Sequence, residues 1–388
     1  WRRQLGPLVV ITPRPEDARR LHDQIQTYLG ETAPVYLLPE PEVLPFERLA
    51  VDANTSNQRL AALAALAASA DSRNGGGQLF PLVVTSIGAA LLRTLPPEAM
   101  VGKETGPGEV NPRRLRIGDK IRLNQLLACW VDLGYHHEPL VEFPGCFSLR
   151  GGIIDVYPPH CDSPFRIELW DDEVETIRVF DPYTQRSLRN VDEVRLFPAR
   201  EQLPNLVDRK RVQELISRMD TTRCGEEVRE RIEGELVALF SGPNVETLSF
   251  YNGLLNRHNL LEYVPQNGRV VLERAVQIEA EALELEERFT RMRTNREERG
   301  ELPGHFPSPH ISWGEFSAEL ERRTRILLHS WAATEDDHIF EPATPYYGRL
   351  EQLASDIRRY QREGRALVAV TQHARRLAEI LEQAGAAA

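Results

Sequence analysis

The sequence predicts an α/β fold: a doubly wound domain on a parallel sheet, an inserted α+β module with an antiparallel sheet, and the start of a further α/β domain. Three observations carry this. Short continuous apolar runs alternate with helical patterns through the first part of the chain, as in parallel sheets buried on both faces. From Phe147 to Pro198 the pattern changes to short strands separated by Pro, Gly and Asp turns. A buried-strand run then returns at Gly268 to Glu273, so the module reads as an insertion into a domain whose final strands follow it.

Each element has a local reason. Leu8 to Ile11 is a continuous apolar run, followed by Thr12-Pro13 and a helix that turns Ala18, Leu21, Ile25 and Leu29 inward. Val35 to Leu38 reads as a second strand and Pro39 to Pro45 as a loop. Asn57 to Ala70, rich in Ala and Leu, is a strong helix former. After the glycine link Gly75-Gly76-Gly77, Pro81 to Thr85 is a third strand, and Ser86 caps a helix running through Leu92. Asn124 to Leu133 reads as a helix. Phe147 to Tyr157, Phe165 to Trp170, Thr176 to Asp181 and Val191 to Pro198 read as strands of the module. Asp208 to Phe240 is helical and charged, and a helix runs from about Gln277 to Glu298. The tail holds an amphipathic helix from Tyr346 to Arg362, a buried strand from Arg365 to Val370 and a helix from Ala374 to Gln383.

Composition excludes several classes. Of 388 residues, 47 are Lys or Arg and 58 are Asp or Glu, a net charge of −11. A nucleic-acid binder that neutralises many phosphates carries a basic excess, and this chain as a whole does not. The count over residues 113–200 is 12 basic to 14 acidic, so the module is no basic patch either, and its arginines must act as placed contacts. Cys129, Cys146, Cys161 and Cys224 lie far apart without a CxxC pair, which argues against a disulfide scaffold or zinc and for a reducing, cytoplasmic setting. No apolar run approaches the roughly 18 residues needed to span a bilayer, and no signal pattern opens the chain. Trp1 in place of an initiator Met, and the close on Gly385 and three alanines, read as the cut ends of a segment of a longer protein.

The motifs that would carry chemistry are mostly missing. GxxxxGK[ST] does not occur, and Gly75-Gly76-Gly77 reads as a linker. Val270-Val271-Leu272-Glu273-Arg274 has the outline of a strand ending in a magnesium-holding acidic pair, but Arg274 puts a cation where the metal needs an anion. His136-His137 and His305 with His310 lack completing ligands and read as surface or turn residues. Ser86 and Ser148 have no neighbouring base, so no catalytic residue, metal site or cofactor site is assigned. The strict alternation of Phe165-Arg166-Ile167-Glu168-Leu169-Trp170 sets Phe165, Ile167 and Leu169 on one face and Arg166, Glu168 and Trp170 on the other. A guanidinium, a carboxylate and an indole exposed together have the composition of a binding hot spot. The competing reading is a surface ion pair shielded by the Trp.

The stretch from Glu142 through Arg150-Gly151-Gly152-Ile153-Ile154-Asp155-Val156-Tyr157-Pro158, then Phe165 to Val174 and Phe180-Asp181 to Gln185-Arg186-Ser187-Leu188, resembles the N-terminal region of the bacterial transcription-repair coupling factors. The likeness extends through Leu21-His22-Asp23, Gln58-Arg59-Leu60 and Leu260-Leu261-Glu262-Tyr263 to the unfinished α/β unit at the end. The excinuclease ABC component UvrB shares the inserted module. Its Tyr-rich DNA-clamping hairpin, however, has no counterpart around Pro39 to Thr55, and the acidic pair at Glu273-Arg274 is lost.

The resemblance implies a degenerate helicase-like (RecA-like) domain in two parts, 1–112 and 201–305, with the module at 113–200, a connecting segment at 306–344 and a truncated further α/β domain at 345–388. It implies that the segment recruits the excinuclease ABC component UvrA to RNA polymerase stalled at a DNA lesion. The contacts would be Arg150, Arg166 and Trp170, with Trp in place of the family's usual Phe, and Glu168 by analogy with UvrB. ATP and magnesium would serve a C-terminal motor that moves on double-stranded DNA and displaces the polymerase. Two alternatives stand beside this reading: a DNA-helicase-like UvrB requiring an upstream phosphate loop, and a module that restrains its own motor. On the exposed reading of its face, Arg166→Ala should spare folding and weaken UvrA binding by about 2 kcal/mol or more.

Overall fold

A computed structural model describes residues 6–70, 79–102, 110–241, 248–328, 346, 349–364 and 374–383. The chain divides into two units, Trp1–Ser330 and Trp331–Ala388. In chain order the strands are β1 (Leu8–Thr12), β2 (Val35–Leu38), β3 (Leu82–Ser86), β4 (Arg114–Arg116), β5 (His136–His137), β6 (Cys146–Arg150), β7 (Ile153–Val156), β8 (Phe165–Trp170), β9 (Glu173–Phe180), β10 (Ser187–Asn190), β11 (Glu193–Arg195), β12 (Arg269–Glu273) and β13 (Arg325–Leu328). Twelve α-helices accompany them among the described residues. The fold is mixed α/β.

The first sheet is parallel throughout, in the order β13-β12-β1-β3-β2. The strands β1, β3 and β12 are apolar on both faces because both are covered, whereas the edge strand β13 is exposed along its length. On one side Val10, Val35, Val84 and Val271 pack with Ala18, Leu21 and Ile25 of the helix Pro15–Leu29. On the other, Val9, Ile11, Val83 and Val270 meet Leu60, Leu63 and Leu66 of the helix Ala53–Ala70 and Ile278 and Leu285 of the helix Ala275–Glu298. The helix after β3 starts where the Ser86 hydroxyl accepts the Ala89 N–H.

Between β3 and β12 the chain builds two further sheets. β4 and β11 pair antiparallel. Six strands run in the order β10-β9-β8-β7-β6-β5, antiparallel except for the β5–β6 pair. Ile154, Ile167 and Ile177 stand in one cross-strand row and pack with Leu126 and Trp130 of the helix Leu123–Asp132. Trp130 is fully buried, and its indole N–H donates to the Pro112 carbonyl at 2.9 Å.

Three expectations change. Residues 306–344, read as a connecting segment, carry the helix Trp313–Leu320 and β13, which extends the first sheet beyond β12. β10 was not expected, because its four exposed residues carry no apolar alternation. His310, read as a surface or turn residue, stacks its ring on Phe289 at 4.5 Å and has an enclosed Nδ1. In the second unit the helices Leu350–Arg362 and Ala374–Gln383 join through Ala354, Ile357 and Leu381. The strand expected at Arg365 to Val370, and the glycine link at Gly75 to Gly77, lie outside the described residues.

Candidate partner-binding face

The face of the six-stranded sheet opposite the Ile154-Ile167-Ile177 row carries the charged residues. Cross-strand partners share a face, so register defines two rows. One contains Ser148, Asp155, Arg166 and Arg178; the next contains Arg150, Ile153, Glu168 and Thr176. Alternation along β8 sets Trp170 on the same side as Arg166 and Glu168. The two hairpin turns at this end of the sheet each use a left-handed residue. Gly151, at φ 59°, turns β6 into β7, and Asp171, at φ 58°, turns β8 into β9. A β-carbon on Gly152 would stand 3.1 Å from the Leu169 carbonyl oxygen, so the Arg150 turn lies tight against the end of β8.

Asp155 organises the face. Its carboxylate has no exposed surface, and burying it unpaired would be costly. Arg166 closes on both oxygens, Nε donating to Oδ1 at 2.8 Å and Nη2 to Oδ2 at 2.9 Å. Arg150 Nη2 adds a third bond to Oδ2 at 2.7 Å. The Arg166 guanidinium also lies over the Phe180 ring at 4.6 Å, and its Nη1 reaches the Gln185 carbonyl at 3.4 Å. The hydrogen bonds to Asp155 hold the Arg166 guanidinium above its ordinary pKa. Beside this cluster, Arg178 Nη2 and the Thr176 hydroxyl each donate to Glu168 Oε2 at 3.0 Å.

This overturns the expectation that Arg166 is an exposed side chain. Its side chain is 17% exposed, against 48% for Arg150. The reason is the neighbouring strand: register sets Arg166 opposite Asp155, which the alternation of β8 alone does not reveal. The structure brings Arg150 and Arg166 together on one carboxylate, gives Glu168 a separate partner, and leaves Trp170 open at 76% exposed. Asp155, Arg178 and Gln185 were missed as parts of the face. For Asp155 the signal was present, since it is the one charged residue in the otherwise apolar run Ile153-Ile154-Asp155-Val156.

The turn after β1 does not suit a nucleotide. Thr12-Pro13-Arg14-Pro15 contains no glycine, and its two prolines have no N–H to offer a phosphate. At the end of β12, Arg274 adopts φ 61° and pairs with Asp17 at 2.5 Å and Glu273 at 3.5 Å. A cation neutralises the carboxylates that would hold magnesium, so these residues do not fit a magnesium nucleotide. Among the described residues, no group of three or more His, Cys, Asp or Glu is placed to hold a metal ion. No described helix is long and apolar enough to cross a membrane.

Comparison with known proteins bears on the same sheets. The UvrB interaction domain family matches residues 114–201, the stretch from β4 to just past β11. The chain is similar to the transcription-repair-coupling factors. That of Bacillus subtilis is 26% identical over 379 residues, 93% of this chain and 31% of the relative. That of Myxococcus xanthus is 36% identical over 203 residues, covering 51% of this chain and 16% of the relative. The Escherichia coli protein is 27% identical over 199 residues, again 51% of this chain and 16% of the relative. The chain thus spans between 16% and 31% of the length of these relatives.

Proposed function

We propose that this chain is the partner-holding N-terminal part of a transcription-repair coupling factor and that its six-stranded sheet docks the excinuclease ABC component UvrA. One observation carries the reading. The stretch that matches the UvrB interaction domain is the stretch that gathers Arg150, Arg166, Glu168 and Trp170 on one face. Arg150 offers the guanidinium nitrogens that Asp155 leaves free to acidic groups on the partner, and Trp170 supplies an apolar anchor. Arg166 and Glu168 contact the partner at the edge of their own ion pairs.

In this reading residues 113–200 are the docking module, inserted between the two parts, 1–112 and 201–305, of a degenerate helicase-like (RecA-like) doubly wound domain. Residues 345–388 begin a further α/β domain. The segment hydrolyses no nucleotide, in keeping with the prolines after β1 and the Arg274 pairings. ATP and magnesium serve a motor elsewhere in the full-length cytoplasmic protein, which also engages RNA polymerase and double-stranded DNA. Co-elution of the chain with purified UvrA on a sizing column tests the docking role. Complex formation that disappears with Arg150→Ala/Trp170→Ala is expected; separate elution of the wild-type proteins would overturn it.

A further inference from the structure

A second concave site lies where the chain leaves the inserted sheets, at Arg200 and Glu201, and the docking role does not use it. It is a cleft of about 120 Å³ at the carboxyl ends of β2 and β3, where open parallel sheets bind ligands. The 39–52 loop supplies apolar wall from Pro41, Leu44 and Phe46, and Leu92 and Phe289 supply more.

The charges in the lining are unequally satisfied. Glu201 is taken by Arg59, whose Nη2 donates to it at 3.1 Å, and by the Thr94 hydroxyl at 2.7 Å. Glu47 pairs with Arg296 at 3.6 Å, and Glu40 accepts the Ser86 hydroxyl at 3.2 Å. Arg200 and Arg288 have no carboxylate partner among the described residues. Arg200 is half-buried, its near polar neighbour is the His136 ring, and burial alone holds its pKa down. Arg288 lies over the Phe289 ring. His310 Nδ1 is enclosed without a hydrogen-bond partner, a state that costs free energy.

We propose that this cleft binds a single-ring aromatic carboxylate, the ring against Phe46, Leu92 and Phe289 and the acid on Arg200. The volume limits the occupant to about one ring: an apolar cavity of roughly 150 Å³ accepts benzene, whereas a nucleotide carries a purine, a ribose and phosphate. The Arg200 guanidinium, which has no carboxylate partner among the described residues, selects an anion.

A ligand-observed NMR titration of the whole chain with benzoate tests the proposal. One saturable site is expected, at least tenfold weaker for the neutral analogue benzyl alcohol and at least tenfold weaker in Arg200→Gln. Leu44→Trp, which fills the mouth from a residue already 44% exposed, should abolish binding while leaving the fold intact. Non-saturating binding, or equal affinity for the acid and the alcohol, overturns the site. Unchanged affinity in folded Arg200→Gln does the same. Should Arg200→Gln fail to fold, the acid–alcohol comparison and Leu44→Trp decide alone.

Discussion

Asp155 and Arg166 stand opposite each other on β7 and β8, and the Arg166 guanidinium closes both oxygens of a carboxylate with no exposed surface. Removing one partner of such a pair leaves a buried charge only partly compensated, here by Arg150 alone. Arg166→Ala should therefore destabilise the protein by about 3 kcal/mol, not spare it. Urea denaturation measures this directly. A loss below about 1 kcal/mol would show that Arg150 suffices to hold Asp155.

Trp170 behaves oppositely. An indole 76% exposed contributes little to the folded state, so Trp170→Ala should change stability by no more than about 0.5 kcal/mol. Binding of UvrA should weaken by about 2 kcal/mol or more, as for an aromatic anchor. Equal losses in stability and binding would mean that Trp170 packs into the fold rather than onto a partner.

The pair Arg59–Glu201 ties the helix Ala53–Ala70 to the chain leaving the inserted sheets. Both side chains are nearly enclosed, and Arg59 also donates to the Pro39 carbonyl at 2.8 Å. Glu201→Gln should cost about 3 to 5 kcal/mol, because Arg59 remains buried with no charge against it. Thermal or urea unfolding would register this, and a near-neutral effect would contradict the pairing.

Three histidines, His136, His160 and His310, are held below their ordinary pKa by burial and contribute a pH dependence, the last two most strongly. Burial pushes the His160 pKa down from 6.5 to about 4, and burial with the nearby Arg59, Arg93 and Arg288 charges pushes His310 down to about 3. Both imidazoles are neutral in the folded protein where the unfolded chain would already bind protons. Their contribution to stability is thus full above about pH 6.5 and falls as pH drops toward 4, with up to about one proton taken up on unfolding per histidine. His160→Gln should flatten the slope of unfolding free energy between pH 6.5 and 4. A slope identical to wild type would show that His160 does not contribute to it.

Buried strands were legible wherever apolar runs are continuous: β1, β2, β3 and β12 fall where the residues alone put them. So did the cap at Ser86, because a hydroxyl before a helix accepts a backbone N–H wherever it occurs. β13 escaped notice because Ile326-Leu327-Leu328 follows Arg322 and Arg323 and is too short to stand out. On the candidate face, alternation placed Arg166, Glu168 and Trp170 on one side of β8. It could not say that β7 would set Asp155 opposite Arg166, since strand register is a tertiary property. The exposure of Arg166 was therefore misjudged while that of Trp170 was not.

The docking role stands or falls with the face that carries Arg150 and Trp170. A surface-binding titration of immobilised chain with purified UvrA tests it, comparing wild type with Arg150→Ala/Trp170→Ala after circular dichroism has shown both to be folded. Saturable binding by the wild type and a loss of at least about thirtyfold in the variant, the equivalent of about 2 kcal/mol, is the expected result. Equal affinities for the two proteins would contradict the assignment.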